Sequence, residues 1–308
     1  MRSLRRLCNF LALLLAVCLL GSCAAPQSTA GEITFCDSTG AQITLAAAPT
    51  RVAVLFSSLA DIWVTAGGEV AITVGESVER GICKSDVTLV DTGAGKTIDR
   101  EALLAARPDL VLCSADIAAQ AETAAFLTQM GIPAAQFRVE SFDDYLAVLG
   151  IFTSITGNAN ALLTHGTAQQ AAIEATVAAQ PFSGKKILFI RAGTSARSVK
   201  AKGTADHFAC AMLARMGATN IADTAPILAE GLSMEAILAA DPDYIFFTAM
   251  GDEAASQSYV TEMLTGAEWQ SLSAVREGRY TFLEKDLFHY KPNARWSEAY
   301  ARLAATQG

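Results

Sequence analysis

The apolar positions of this chain change period from segment to segment, and the changes mark its elements. Short, largely apolar runs recur at residues 52–56, 70–74, 87–90, 110–113 and 134–137, and again at 186–190, 244–247 and 280–283. Runs of this kind predict strands buried on both faces. Between them, residues 59–66, 98–107, 116–130, 143–155, 205–216, 233–240, 257–264 and 293–305 carry helical patterns, with Gly131 and Gly217 as stops. Ser58 is placed to cap the first of these helices. Residues 33–45 alternate around Asp37-Ser38-Thr39-Gly40 and predict a hairpin, and residues 191–203 read as a polar loop. Strands alternating with helices imply parallel sheets covered on both faces, an α/β fold.

One helical pattern is longer than the rest. Over residues 158–180, Leu162, Gly166, Gln169, Ile173 and Val177 fall on one side, Ala fills the positions between, and Gly157 and Pro181 mark the ends. Such a rod is roughly 35 Å long. The two half-chains around it share a motif. Glu101 stands seven residues before Pro108-Asp109 and the run ending at Cys113, and Glu235 stands seven residues before Pro242-Asp243 and the run ending at Phe247. In both, Pro stops a helix and the apolar run enters a sheet. Two copies imply two lobes of similar build. The expected division is a leader at 1–22, a tether at 23–31, a first lobe at 32–157, a linking helix at 158–180 and a second lobe at 181–308.

Composition narrows the classes of function. The 308 residues are 52% hydrophobic and 18% charged, which suits two globular domains. Net charge is −8, and no Lys- or Arg-rich run follows the first few residues, so nucleic acid is not an expected partner. Arg2, Arg5 and Arg6 precede an apolar run at 10–20 that is too short for a ~30 Å bilayer. Leu20-Gly21-Ser22-Cys23 follows and resembles the lipobox of bacterial lipoproteins, which implies that Cys23 is diacylated and becomes the new N-terminus. Removing the three arginines from 23 basic residues leaves 20 against 31 acidic, a balance near −11. The expected location is outside the cytoplasm, held to a membrane by lipid. No CxxC pair occurs. Cys113 and Cys210 lie in apolar runs and read as buried thiols. A Cys36–Cys83 disulfide suits this compartment but is not established by spacing.

At this point the chain resembles the lipid-anchored substrate-binding proteins of ATP-driven importers for ferric siderophores, haem and cobalamin. The residues that carry the resemblance are Ile33 to Gly40, Pro49 to Leu55, the two Glu…Pro-Asp motifs, the Gly157 junction and Leu272 to Tyr280. The resemblance implies two Rossmann-like lobes with parallel central sheets joined by a single long α-helix, the class III periplasmic-binding-protein fold. It implies a shallow cleft, limited hinge motion and no catalysis. It also implies that Glu101 and Glu235 each contact arginines of a permease dimer, which works with a cytoplasmic ATPase. Carboxylates held apart by a rigid body can set orientation, since Arg–carboxylate pairs are directional.

Ligands of parallel α/β lobes bind at the carboxyl ends of strands. That rule selects residues 56–58 (with Ser57 and Ser58), 77–81 and 91–96 in the first lobe, and 191–202, 248–252 and 284–291 in the second. Arg191, Arg197, Lys200, Lys202, Lys285 and Lys291 make these loops basic in an acidic chain, which favours an anionic ligand. His289-Tyr290 is the sharpest constellation. Either side chain can ligate haem iron axially, hydrogen-bond a chelate or stack on it. Residues 91–96 lack the Trp that some cobalamin binders of the family place there. His165 and His207 read as structural, and three scattered His argue against a zinc-type site. No G-x-S-x-G, HExxH or P-loop occurs, which argues against a secreted two-domain α/β enzyme. The expectation is therefore a binding protein, not an enzyme. It needs no cofactor and captures an iron chelate, a ferric siderophore or haem, in the inter-lobe cleft for delivery to the permease. Cobalamin is the alternative.

Overall fold

The doubly apolar runs become the central strands of two parallel sheets. The computed structural model describes residues 31–91, 97–225 and 227–307. The expected leader, Cys23 with the tether to residue 30, and residues 92–96 of one candidate loop lie outside the described residues. The first sheet is built from β3 (Val52–Val54), β4 (Ile72–Thr73), β5 (Thr88–Leu89), β6 (Leu110–Ser114) and β7 (Ala134–Phe137), in the order β5-β4-β3-β6-β7, all parallel. The second uses β8 (Lys186–Ala192), β10 (Thr219–Asn220), β11 (Tyr244–Ala249) and β12 (Tyr280–Leu283), in the order β10-β8-β11-β12 and parallel. β9 (Lys200–Ala201) pairs antiparallel with β8, so residues 191–203 are not a simple loop: they carry a short 3-10 turn and this strand. β1 (Ile33–Cys36) and β2 (Gln42–Leu45) form the expected hairpin.

The strand order of each sheet reverses once, at β3/β6 in the first and β8/β11 in the second, and a crevice opens beyond the carboxyl ends at such a point. The helices that matter to it are α1 (Ser57–Thr65), α2 (Gly75–Glu79), α3 (Arg100–Ala105), α4 (Ala118–Gln129), α5 (Phe142–Thr156), α6 (159–178), α7 (Phe208–Arg215), α8 (Met234–Ala240), α9 (Glu253–Leu264), α10 (Lys285–Phe288) and α11 (Trp296–Ala304).

Alternate residues of each strand enter different cores, as the two-residue period requires. Ala53 and Leu55 of the first lobe pack with Leu103, Val111 and Leu127, and Leu188 and Ile190 of the second pack with Ile237, Ile245 and Val260. The intervening residues all enter one core. Val52 and Val54, Phe189 and Phe246 join it, together with Tyr145 and Phe152 of α5, Ile173 of α6, Phe208 of α7 and Trp296 and Tyr300 of α11. The two lobes are thus fused through a single apolar body.

α6 is the long rod, but it is not one regular helix. α5 ends at Gly157 in the left-handed conformation (φ 76°), α6 starts two residues later, and residues Leu162–Thr167 widen to π geometry. Tyr145 Oη donates to the His165 carbonyl at 2.9 Å, and Gln169 Nε2 donates to the same oxygen. Gln169 Oε1 accepts from Ser297 N at 3.0 Å. Here the widened turn is tied to α5 on one side and to α11 on the other; a π-turn of this kind inside a helix is uncommon and carries a local purpose. Gly166 lies against Leu146, where an added Cβ would stand 2.7 Å from Cδ1.

The repeated motif is repeated in three dimensions. Asp109 accepts from Thr50 N (2.7 Å) and Arg51 N (2.9 Å), and Asp243 accepts from Lys186 N (2.8 Å). Arg51 Nε donates to the Ala106 carbonyl at 2.5 Å, and Lys186 Nζ donates to the Ala240 carbonyl. Arg107 and Asp241, each just before its Pro, both have positive φ, 49° and 41°. Each motif therefore clips the start of one central strand to the end of a helix.

Burial opposes ionisation of Asp109, but the hydrogen bonds from Thr50 and Arg51 outweigh it and hold the carboxyl below the ordinary range. A depressed carboxylate stabilises the fold above its unfolded pKa and loses that contribution as pH falls through the folded value. We expect Asp109→Ala to lose about 1 kcal/mol of stability in urea unfolding near neutral pH, and less in acid. An equal loss at both pH values would refute the clip.

Candidate functional site

The carboxyl ends of β3 and β8 face a cleft, and charged side chains from both lobes meet there. α1 starts at Ser57, not after it, with Phe56 at the N-cap and no side-chain cap, so Ser58 does not cap as expected. The reason is tertiary: the Ser57 hydroxyl is engaged elsewhere. It donates to Glu76 Oε2 of α2 and accepts from Arg80 Nη1 at 3.0 Å. The Arg80 guanidinium lies over the Tyr290 ring, 4.1 Å from its centroid, and so reaches the second lobe. Lys285 Nζ lies 5.5 Å from the same centroid while donating to the Gly251 carbonyl. His289 meets Tyr290 edge-on at 5.1 Å. The Tyr290 ring is thus already engaged by cations.

Arg191 stands at the end of β8, half-buried, and among the described residues its guanidinium makes no hydrogen bond or ion pair. Lys200 is its cross-strand neighbour on β9 and is exposed. Burial, then Lys285 and Arg191, lower the pKa of His289 against an opposing pull from Glu76. Burial, then Lys291 and Arg191, push His207 down to about 3. Both imidazoles are neutral near pH 7. His207 is structural as expected: its Nδ1 caps α7 at Ala209 N (3.2 Å), and its ring packs on Phe189 and Phe208. His165 is exposed on α6.

The structure therefore brings Ser57, Arg191, His289 and Tyr290 to one place, with Lys200 at its edge. Ser58 is buried beside it and contributes its carbonyl to a different contact. Asn293, fully buried with φ 48°, donates from Nδ2 to the Ser58 carbonyl (3.0 Å) and to Asp61 Oδ2 (2.8 Å). Lys291 pairs with Glu140 at 2.7 Å and lies 4.8 Å from the Phe208 centroid. The Asn293 hydrogen bonds and the Lys291–Glu140 pair cross between the lobes. Beside them is a cavity of about 100 Å³ lined by Phe56, Ser58, Ser114, Asp116, Glu140 and Lys291. Glu76, Arg80 and Asn293 escaped the sequence reading. Arg80 lay in the selected 77–81 stretch and was its one basic residue, which was a usable signal.

Glu101 and Glu235 are away from the cleft floor. Each is exposed at the second position of its helix, behind an Asp99 cap on Ala102 N (2.9 Å) and a Ser233 cap on Ala236 N (3.4 Å). Each helix precedes a parallel strand and runs back along it, so both glutamates stand at the level of the carboxyl ends of β6 and β11. Cys113 and Cys210 are buried free thiols. Cys83 is also free, so the Cys36–Cys83 bridge is not made. Burial raises its thiol pKa, partly offset by a hydrogen bond with Thr73.

Comparison with known proteins places this geometry among binding proteins. The model of the family described as "Periplasmic binding protein" matches residues 52–287. The fold is similar to that of the periplasmic haem-binding protein RhuT from Roseiflexus sp. RS-1 in apo form. That match has a TM-score of 0.66 and 19% identity, and covers 83% of this chain and 97% of that one. It is also similar to the siderophore-binding protein BauB bound to a complex of two acinetobactin molecules and ferric iron (TM-score 0.70, 14% identity, 90% and 98% coverage). A third is the periplasmic vitamin B12 binding protein BtuF of Vibrio cholerae (TM-score 0.68, 16% identity, 84% and 97% coverage). Comparison with curated proteins gives no match.

Replacing Asn293 by Gly keeps its backbone conformation and removes both cross-lobe hydrogen bonds, so we expect a loss of about 1–3 kcal/mol in urea unfolding. Asn293→Ala is expected to lose ~1 kcal/mol more, because Ala resists positive φ. Wild-type stability in the Gly variant would remove Asn293 as a link between the lobes.

Proposed function

The chain belongs to the periplasmic binding protein family, and on that premise we propose that it is the extracytoplasmic solute-binding protein of an ATP-driven importer, taking an anionic iron chelate in the inter-lobe cleft. A binding protein of this family is not an enzyme. The observation that carries the ligand class is Arg191: a half-buried guanidinium with no hydrogen bond or ion pair among the described residues, which acts on His289 together with Lys285 and Arg80, in a chain of net charge −8. An unpaired, partly desolvated cation is costly unless something anionic joins it. Ferric siderophores of the anionic type and the propionates of haem both suit it. The names of the similar structures, which bind haem, siderophore and vitamin B12, support the same range. The cationic lining favours the first two over cobalamin.

Within the cleft, Arg191, Lys200 and Arg80 are proposed to hold the anionic groups, with Ser57 orienting Arg80 and Ser58 supporting the floor through its carbonyl. His289 offers a neutral imidazole as acceptor or iron ligand. Tyr290 orients Arg80 and Lys285, which leaves iron ligation to its hydroxyl as the lesser role. No resident cofactor is needed, since the chelate is cargo. Glu101 and Glu235 are proposed to dock the chain on a permease dimer served by a cytoplasmic ATPase. The first lobe is proposed to span 32–157, the linking helix 158–180 and the second lobe 181–308. The 1–22 leader would be removed, and a lipid on Cys23 would hold the chain to the membrane through the 23–31 tether.

Purified protein is expected to change its Trp fluorescence with haemin or an anionic ferric siderophore. Trp296 reports on the cleft through Phe208, which it meets at 5.7 Å. No response to a panel of haemin, ferric siderophores and cobalamin would sink the ligand class. In cells, a Glu101→Ala, Glu235→Ala double variant should bind ligand normally yet fail in uptake, and Cys23→Ala should free the chain from the membrane fraction. Normal uptake, or retention on the membrane, would overturn the respective assignment.

A further inference from the structure

The cation cluster of the cleft contains its own acid. Glu76 is the second residue of α2, half-buried, and its carboxylate accepts the Ser57 hydroxyl proton. The same hydroxyl oxygen accepts from Arg80 Nη1 at 3.0 Å. A serine hydroxyl has one proton to give and lone pairs to receive, so this geometry spends the proton on Glu76 and a lone pair on Arg80. Glu76 and Arg80 do not form a direct ion pair among the described residues; Ser57 stands between them. The other guanidinium N–H groups of Arg80 are unused among the described residues, and its face is fixed on Tyr290 at 4.1 Å. Glu76 also acts on the opposite wall, where it pulls the His289 pKa upward against burial, Lys285, Arg191 and Arg80.

We propose that Glu76 is a specificity-determining residue, a built-in counter-ion held by Ser57 that sets how much negative charge a chelate can bring into the cleft. The inference rests on reading the cleft as an anion site. Without ligand, Glu76 offsets the field of Arg80, Arg191 and Lys285. When a chelate enters, its anionic groups take the unused donors of Arg80, and Glu76 stays as a fixed like charge nearby. The cost of that like charge grows with the charge of the chelate. The residue therefore lowers affinity most for highly charged chelates and favours those of moderate charge. A helix-start carboxylate that merely steadied α2 would have no such graded effect.

The test uses three probes of different charge: a trianionic ferric tricatecholate, the less negative haemin with its two propionates, and cationic ferrioxamine B. Affinities are measured by fluorescence titration for the wild-type chain and for Glu76→Gln, with thermal unfolding to verify that the variant is folded. The expected result is a gain of about tenfold for the tricatecholate in Glu76→Gln, a smaller gain for haemin and none for ferrioxamine B. Glu76→Asp keeps the charge and should keep the wild-type order of preference even if its hold on Ser57 weakens. Arg80→Gln should lose affinity for the anionic probes alone. Unchanged affinities in Glu76→Gln, or a parallel fall for every probe, would overturn the inference while leaving the anion-cleft reading in place. Binding of ferrioxamine B alone, or of none of the probes, would remove that reading and the inference with it.

Discussion

The two lobes share one apolar core, and the rest of the molecule depends on that. Strands buried on both faces give alternate residues to opposite sides, so each sheet packs one face into its own lobe's core and the other into a core common to both lobes. Val52 and Val54 from one side and Phe189 and Phe246 from the other meet through Tyr145, Phe152, Ile173, Phe208, Trp296 and Tyr300. Opening the lobes wide would return this surface to water at roughly 25 cal/mol per Å². Even a few hundred Å² would then cost several kcal/mol, comparable with the whole stability of many domains. The hydrogen bonds of Asn293 and the link from Gln169 to Ser297 lock the same seam with polar contacts. Wide separation of the lobes is therefore opposed by both the apolar core and these polar links.

The repeated Glu…Pro-Asp motif was legible because its physics is local. A helix start, a Pro stop and an apolar strand each need only neighbours in sequence, and the structure adds matching positive φ values at Arg107 and Asp241. The rod of α6 was legible in length and in its flanking Gly157. Its π turn was not, because that depends on Tyr145 and Gln169 competing for the His165 carbonyl. Short strands were read too long for a similar reason: apolar character continues past the last ladder bond of β4 and β5.

At the candidate site, the strand-end rule found Ser57, Arg191, His289 and Tyr290, since topology alone sends those loops to one crevice. It did not find Glu76 or Arg80 as partners of Ser57. α2 is a five-residue helix with no period to read, and its role comes from packing beside α1. Propensity places a cap at Ser58, whereas in the structure the helix starts at Ser57, whose hydroxyl is held by Glu76 and Arg80. Asn293 carried no sequence signal, because a buried Asn at positive φ is justified only by acceptors more than two hundred residues away, Ser58 and Asp61.

The lobes are most alike at the amino ends of their central strands and least alike at the carboxyl ends. Arg51 and Lys186, Asp109 and Asp243, Ala106 and Ala240 repeat one clip almost atom for atom. At the other end the likeness stops. One lobe offers Ser57, Glu76 and Arg80, and the other offers Arg191, Lys285, His289 and Tyr290. A framework that holds two sheets steady has reason to be the same twice, whereas a cleft that receives one asymmetric ligand has reason to differ between its walls. Glu101 and Glu235 are alike at the rim, at the same helical position behind equivalent caps. A partner with two similar subunits would present two similar surfaces. On the proposed reading, symmetry at the rim then serves docking, and the broken symmetry between the cleft walls serves recognition.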